Sequence, residues 1–296
     1  MAGQPADGVA RSPLPAGLYL VATPIGHARD ITLRALDVLR DADGLAAEDT
    51  RRTRQLLDIH GIQVGDRPLV SYHDRNGPAR RPQILGWLAE GKSIAYASDA
   101  GTPLVADPGY RLAEAAREAG HQVTVVPGAS AVLAALSVAG LPTDRFYFGG
   151  FLPTKTAARR AALTELAGVP GTLVFFESPR RAADALADMS YVLGPERDGA
   201  LARELTKAFE EVRRGSLADL AEEAAEDPPR GEVVLLAGPR GVEATRADAS
   251  ARLDAVLGAA LETLSVKEAA RSVATELGLP KREVYARALE MAKVAD

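Results

Sequence analysis

At 296 residues, with 47% hydrophobic and 25% charged side chains, the chain has the balance of a globular protein and suits two domains better than one. A net charge of −5 argues against an indiscriminate nucleic-acid coat, and zero cysteines with four scattered histidines exclude a disulfide framework and a thiolate or histidine-rich metal centre. No apolar run approaches the roughly 18 residues of a membrane span, and the opening segment lacks a signal peptide's apolar stretch, so residues 1–16 read as a flexible tail of a cytoplasmic protein.

Short apolar runs bounded by turn residues then alternate with helix-length segments, the pattern of a parallel sheet covered by helices. Strands are expected at Leu18–Ala22, Gly44–Glu48, Pro68–Tyr72, Ser93–Ser98 and Gln122–Val126, with helices near 31–40, 51–59, 78–90, 107–119 and 129–139. Gly140 and Pro142 interrupt the pattern, which puts a boundary there and gives a first α/β domain over 17–140. A second, 141–241, is expected to hold strands at Arg145–Phe151, Thr172–Glu177, Ala200–Glu204 and Glu232–Ala237 and helices at Thr156–Ala167 and Arg180–Leu193. Residues 242–296 read as a helical appendage shaped like a helix–turn–helix. In it Ser265 caps a helix with Glu268 as its capping-box partner, Gly278 ends that helix, and Pro280 opens the next.

Ligands of open α/β sheets bind beyond the carboxyl ends of the strands, so the loops after the strands are the places to search. The first, Thr23-Pro24-Ile25-Gly26, has a single glycine and a stiff proline where a phosphate-binding loop would carry several glycines. The most informative is Ser98-Asp99-Ala100-Gly101-Thr102-Pro103, followed by Asp107-Pro108-Gly109. Its small residues let a ligand lie against the main chain, and the Asp99 carboxylate can accept hydrogen bonds from hydroxyl or ammonium groups. Ser130, in Pro127-Gly128-Ala129-Ser130-Ala131, can cap the following helix or touch a ligand. Basic clusters at Arg51, Arg52 and Arg54, at Arg80 and Arg81, and around Lys155, Arg159, Arg160, Arg180 and Arg181 are either solvated helix faces or local contacts for an anionic partner.

The stretches LYLVATPIG, AEDTRRTRQLL, SYHDRN, SDAGTPLVADPG, VVPGASA, GFLP, FFESPRR, ARELTKAFEE and GEVVLL, in this order, resemble the ribosomal small subunit RNA methyltransferase I family. The likeness covers roughly residues 17–240, and the terminal helices look like that family's appendage. It departs from the family at His27-Ala28-Arg29 and at His73-Asp74-Arg75-Asn76. The resemblance implies the tetrapyrrole methylase fold: two α/β domains with S-adenosylmethionine in the cleft between them. It also implies 2′-O-methylation of a cytidine in the decoding region of 16S rRNA within the small ribosomal subunit or its precursor, by a homodimer with no metal and no membrane partner. It places Pro24, Asp99, Ala100, Gly101, Thr102, Ser130 and Ala131 at the cofactor, with Leu236 and Gly238 closing over its adenine end. A ribose hydroxyl is a very weak acid, so a carboxylate (Glu48, Asp49 or Glu177) and a cation (Arg51, Arg180 or Lys207) are the candidates to assist, with Glu177 the first choice. A tetrapyrrole methylase and a non-catalytic RNA-binding factor are the alternatives.

Overall fold

A computed structural model describes residues 13–106 and 109–295. Residues 1–12 of the expected tail, with Asp107 and Pro108, lie outside the described residues.

The first sheet contains β1 (Gly17–Val21), β2 (Gly44–Ala47), β3 (Leu69–Ser71), β4 (Ser93–Ala97) and β5 (Val123–Val126), in the order β3-β2-β4-β1-β5 and all parallel. Parallel strands covered on both faces carry continuous apolar runs, and β2 and β4 are buried at every position. Helices α1 (Leu33–Asp41), α2 (Thr50–Ile59), α3 (Gly77–Ala89) and α4 (Tyr110–Glu118) connect successive strands. Thr32 caps α1 by accepting from the Ala35 N–H, and Asp49 caps α2 by accepting from the Arg51 N–H. Because every strand points the same way, the loops after β1, β2, β3, β4 and β5 meet at one edge of the sheet.

The second sheet contains β6 (Phe146–Phe151), β7 (Thr172–Glu177), β8 (Asp198–Arg203), β9 (Glu211–Ser216) and β10 (Val233–Ala237), in the order β6-β7-β10-β8-β9. Only β6 and β7 are parallel; the other neighbours are antiparallel. Helices α6 (Thr156–Leu166), α7 (Ala182–Leu193) and α8 (Leu217–Glu226) cover one face. The other face is covered by α5 (Ala131–Ala139), which buries Val132, Ala135, Leu136 and Ala139. Ile25, Val132, Ala135 and Leu136 from the first set of elements share one core with Val174, Ala200, Val234 and Leu236 from the second.

The strand β9 and helix α8 are additions to the sequence reading. Beyond Ala237, α9 (Val242–Leu261), α10 (Val266–Leu277) and α11 (Lys281–Ala295) bury a separate core around Leu257, Val273 and Val284. The Ser265–Glu268 capping box is formed, and Gly278 ends α10 in the left-handed conformation. Pro280 stands just before α11 and accepts from the Val284 N–H.

Candidate active site

The loops after β1, β4 and β5 are knitted together by hydrogen bonds that leave little freedom. Thr23 and Gly101 exchange backbone bonds of 2.9 and 3.0 Å, the Thr23 hydroxyl donates to the Ser98 carbonyl, and the Ser98 hydroxyl donates to the Gly101 carbonyl at 2.7 Å. The Thr102 hydroxyl donates to the Ala129 carbonyl at 3.0 Å, which ties in the third loop. Gly101 has φ +79°, a left-handed conformation that an L side chain takes only with strain. Across from these loops, Gly26 lies against Leu205, Thr206 and Lys207 so closely that a Cβ there would fall 2.6 Å from atoms of Thr206 and Lys207. The His27 N–H donates to the Thr206 hydroxyl at 3.0 Å, so the rims of the two sheets touch at this point.

Between the rims lies a cavity of about 480 Å³. Asp99, Ala100, Gly101, Thr102, Ser130 and Ala131 line its floor on the first-sheet side. Ser130 is the residue before α5, yet its side chain makes no capping bond, which leaves the hydroxyl for a ligand. The opposite wall is formed by Phe176, Glu177, Ser178 and Pro179 with Gly231, Glu232, Val233 and Val234, and Ile25, Val105 and Phe151 add apolar surface. Phe151 meets Phe176 edge-on with ring centres 5.6 Å apart, and the ring is 58% exposed. Polar groups on one side and aromatic carbon on the other suit a ligand with a flat ring and a charged tail.

Asp99 is the best-held polar group. One carboxylate oxygen accepts the Asp49 N–H at 2.8 Å and the other is 3.7 Å from the Arg52 guanidinium. Burial raises its pKa above the ordinary aspartate value, and the nearby charge of Glu48 adds to this; the Asp49 N–H and Arg52 oppose it. The buried oxygens therefore gain from a cationic or hydroxylic ligand. Glu48 lines the same cavity and makes no side-chain hydrogen bond or ion pair among the described residues.

Pro24 faces a neighbouring cavity of about 280 Å³ that it shares with Arg52, Ser98 and Asp99, and does not line the large one. Asp49, Arg51 and Lys207 are likewise absent from its lining. Asp49 is committed locally: side-chain and backbone bonds from Arg51 hold its carboxyl down at about 2. Arg51 points outward, its side chain 89% exposed. Lys207 is fixed between Glu204 at 2.9 Å and Glu232 at 3.1 Å; burial draws its pKa down, but these two partners outweigh it and the net shift is upward.

Leu236, Gly238 and Glu177 also stand differently from the sequence expectation. Leu236 is fully buried in the core under α5, and the Gly238 carbonyl accepts from Arg197 away from the cavity. The beginning of β10, Gly231 to Val234, reaches the cavity instead, because β10 runs antiparallel to β7 and Val233 pairs with Glu177. The Glu177 side chain has no exposed surface; one oxygen is held by the Ser178 N–H at 2.6 Å and by Arg181 at 2.5 Å. It anchors the turn after β7, so its place in the lining comes without an accessible carboxylate. Arg52, one of the basic cluster after β2, also lines the cavity; the signal for it is the back-pairing of Arg51 onto the acidic cap, which leaves Arg52 to face Asp99.

Residues 17–221 match the family model described as Tetrapyrrole (Corrin/Porphyrin) Methylases, and residues 247–292 match the RsmI C-terminal HTH domain. The chain is 49% identical over 280 residues to the ribosomal RNA small subunit methyltransferase I of Mesorhizobium japonicum, covering 94% of this chain and 93% of the relative. Its identity to the protein of the same name from Xylella fastidiosa is 45% over 274 residues, covering 92% and 98%. Among solved structures, the uroporphyrin-III C-methyltransferase of Thermus thermophilus complexed with S-adenyl homocysteine superposes with a TM-score of 0.53 at 20% identity, over 75% of this chain and 97% of that one.

Proposed function

The chain belongs to the ribosomal RNA small subunit methyltransferase I family, and on that premise we propose that it methylates the 2′-oxygen of a cytidine in the decoding region of 16S rRNA, with S-adenosylmethionine as donor. The observation that carries the RNA reading, over that of a tetrapyrrole methylase, is that the likeness runs through both sheets and on into the terminal helices.

The cavity fits the donor. Its floor of small residues admits a ligand against the main chain, the desolvated Asp99 carboxylate and the uncapped Ser130 hydroxyl offer partners for ribose or ammonium groups, and Ile25, Val105 and Phe151 offer a face for adenine. Bound there, S-adenosylmethionine supplies an electrophilic methyl group on a sulfonium. The protein's task is to bring the acceptor oxygen into line with it and to exclude water. Glu48, the carboxylate without a partner among the described residues, is the group we assign to take the hydroxyl proton, and Arg52 beside Asp99 offsets the charge that develops on the oxygen. Asp49, Arg51 and Lys207 shape the rim. A homodimer, as the family resemblance implies, is part of this proposal, and sedimentation tests it.

The test is transfer of tritium from methyl-labelled S-adenosylmethionine into small ribosomal subunits that lack the modification. Label in ribose 2′-O-methylcytidine is the expected result; no label in any ribosomal particle removes the reading.

A further inference from the structure

The loop between β8 and β9 carries a feature that the cavity chemistry does not use. Glu204 and Thr206 both have left-handed backbone, φ 50° and 64°, although neither is glycine. Leu205 between them is buried in the core that joins the two sheets. The strained turn is locked from several sides: Glu210 accepts the Thr206 N–H at 2.5 Å, Lys207 bridges Glu204 and Glu232, and Glu204 accepts the Glu232 N–H at 2.9 Å. Backbone held this way in sparsely populated conformations, by so many partners, points to a purpose for the loop. What the loop presents is Phe209, whose ring is 73% exposed.

Phe209 borders a pocket of about 340 Å³ with Arg203, Arg213, Pro228 and Arg230, and Gly231 belongs to both this pocket and the large cavity. Glu211 holds Arg203 at 2.5 Å and Arg213 at 2.9 Å, and Asp227 holds Arg213 on its other side at 2.5 Å. Both guanidiniums are paired with carboxylates, and Phe209 is the aromatic face that the pocket offers. Single-stranded RNA fits such a face when an unstacked base lies on the aromatic side chain.

Resting on the rRNA reading above, we propose that Phe209 is a stacking platform for a nucleobase of the rRNA strand next to the acceptor nucleotide. Since the two pockets meet at Gly231, a strand with its reacting ribose at the large cavity runs past the ring. Arg230, exposed and without an ion pair among the described residues, stands where that strand's backbone would pass.

The test compares wild type with Phe209→Ala, Phe209→Leu and Phe209→Trp. Binding to small subunits lacking the modification is measured without cofactor, and S-adenosylmethionine binding is measured separately by calorimetry. Stacking on one base predicts that the alanine and leucine variants bind subunits roughly 5- to 150-fold more weakly, with an unchanged slope against salt and unchanged cofactor affinity. Tryptophan restores the affinity. Wild-type subunit affinity in Phe209→Ala, failure of tryptophan to restore binding, or a loss that follows dissociation of a dimer in sedimentation would each overturn the platform. Failure of the wild type itself to bind subunits would instead overturn the rRNA reading, and the platform with it.

Discussion

Replacing Asp99 with asparagine separates holding the loop from holding the ligand. In the structure one carboxylate oxygen accepts the Asp49 N–H at 2.8 Å, and an asparagine oxygen can accept the same bond. Burial raises the Asp99 pKa, so the folded, ligand-free protein binds this proton more tightly than the unfolded chain does. The sign follows: stability contributed by this group grows as pH falls through the raised pKa, and at neutral pH the charged form carries a penalty. Asp99→Asn should therefore melt at or slightly above the wild-type temperature. Asp99→Ala strands the Asp49 N–H and should lose about 1–3 kcal/mol of stability. Cofactor affinity should behave differently. A net contribution of about 1.5–3 kcal/mol for hydrogen bonds to a charged group corresponds to roughly 10- to 150-fold weaker binding of S-adenosylmethionine by Asp99→Asn. Calorimetry at neutral pH reads the affinity and thermal unfolding reads the stability. On acidification the wild-type affinity should start to fall above the pH at which an ordinary aspartate protonates, while the asparagine variant stays flat through that range. Wild-type cofactor affinity in Asp99→Asn would refute the reasoning.

Other substitutions test the remaining assignments. Glu48→Gln should lower kcat by about 10²-fold or more while cofactor affinity holds, as removal of a general base does. Glu177→Gln leaves Arg181 without its buried partner and should cost about 2–3 kcal/mol in denaturant unfolding, the low side for a broken buried pair because Arg181 is partly solvated. A stable Glu177→Gln protein with abolished transfer would return the acceptor role to Glu177. At Gly149 a Cβ would fall 2.4 Å from the ring of fully buried Phe175, so Gly149→Ala should destabilise by about 1–3 kcal/mol, read as a lower denaturant midpoint at unchanged slope.

The first sheet was legible because its inner strands are buried and stand out as apolar runs between turn residues, as Gly44–Ala47 and Ser93–Ala97 do. The strand Glu211–Ser216 was not. It is an edge strand whose sequence, Glu-Val-Arg-Arg-Gly-Ser, has no apolar alternation and is held in part by pairs such as Arg203–Glu211 that form only across the folded sheet. The helix after it carried a readable start, since Ser216 accepts from the Asp219 N–H, but without the strand its position in the fold was hidden. At the cavity, small residues after parallel strands marked Asp99 to Thr102 and Ser130. Local sequence could not reveal that β10 enters the sheet in the opposite direction, which moves the cavity contact from Leu236 and Gly238 back to Gly231–Val234. Nor does a lone glutamate at a strand end disclose that Arg181, one turn on, will cover it.

The most direct measurement is mass-spectrometric mapping of 2′-O-methylcytidine in 16S rRNA from cells lacking this gene, complemented with either the wild-type chain or Asp99→Asn. One modified cytidine in the decoding region should vanish on deletion, return with the wild type, and stay well below stoichiometric with the asparagine variant when cofactor is limiting. An unchanged modification pattern in the deleted strain would contradict the account.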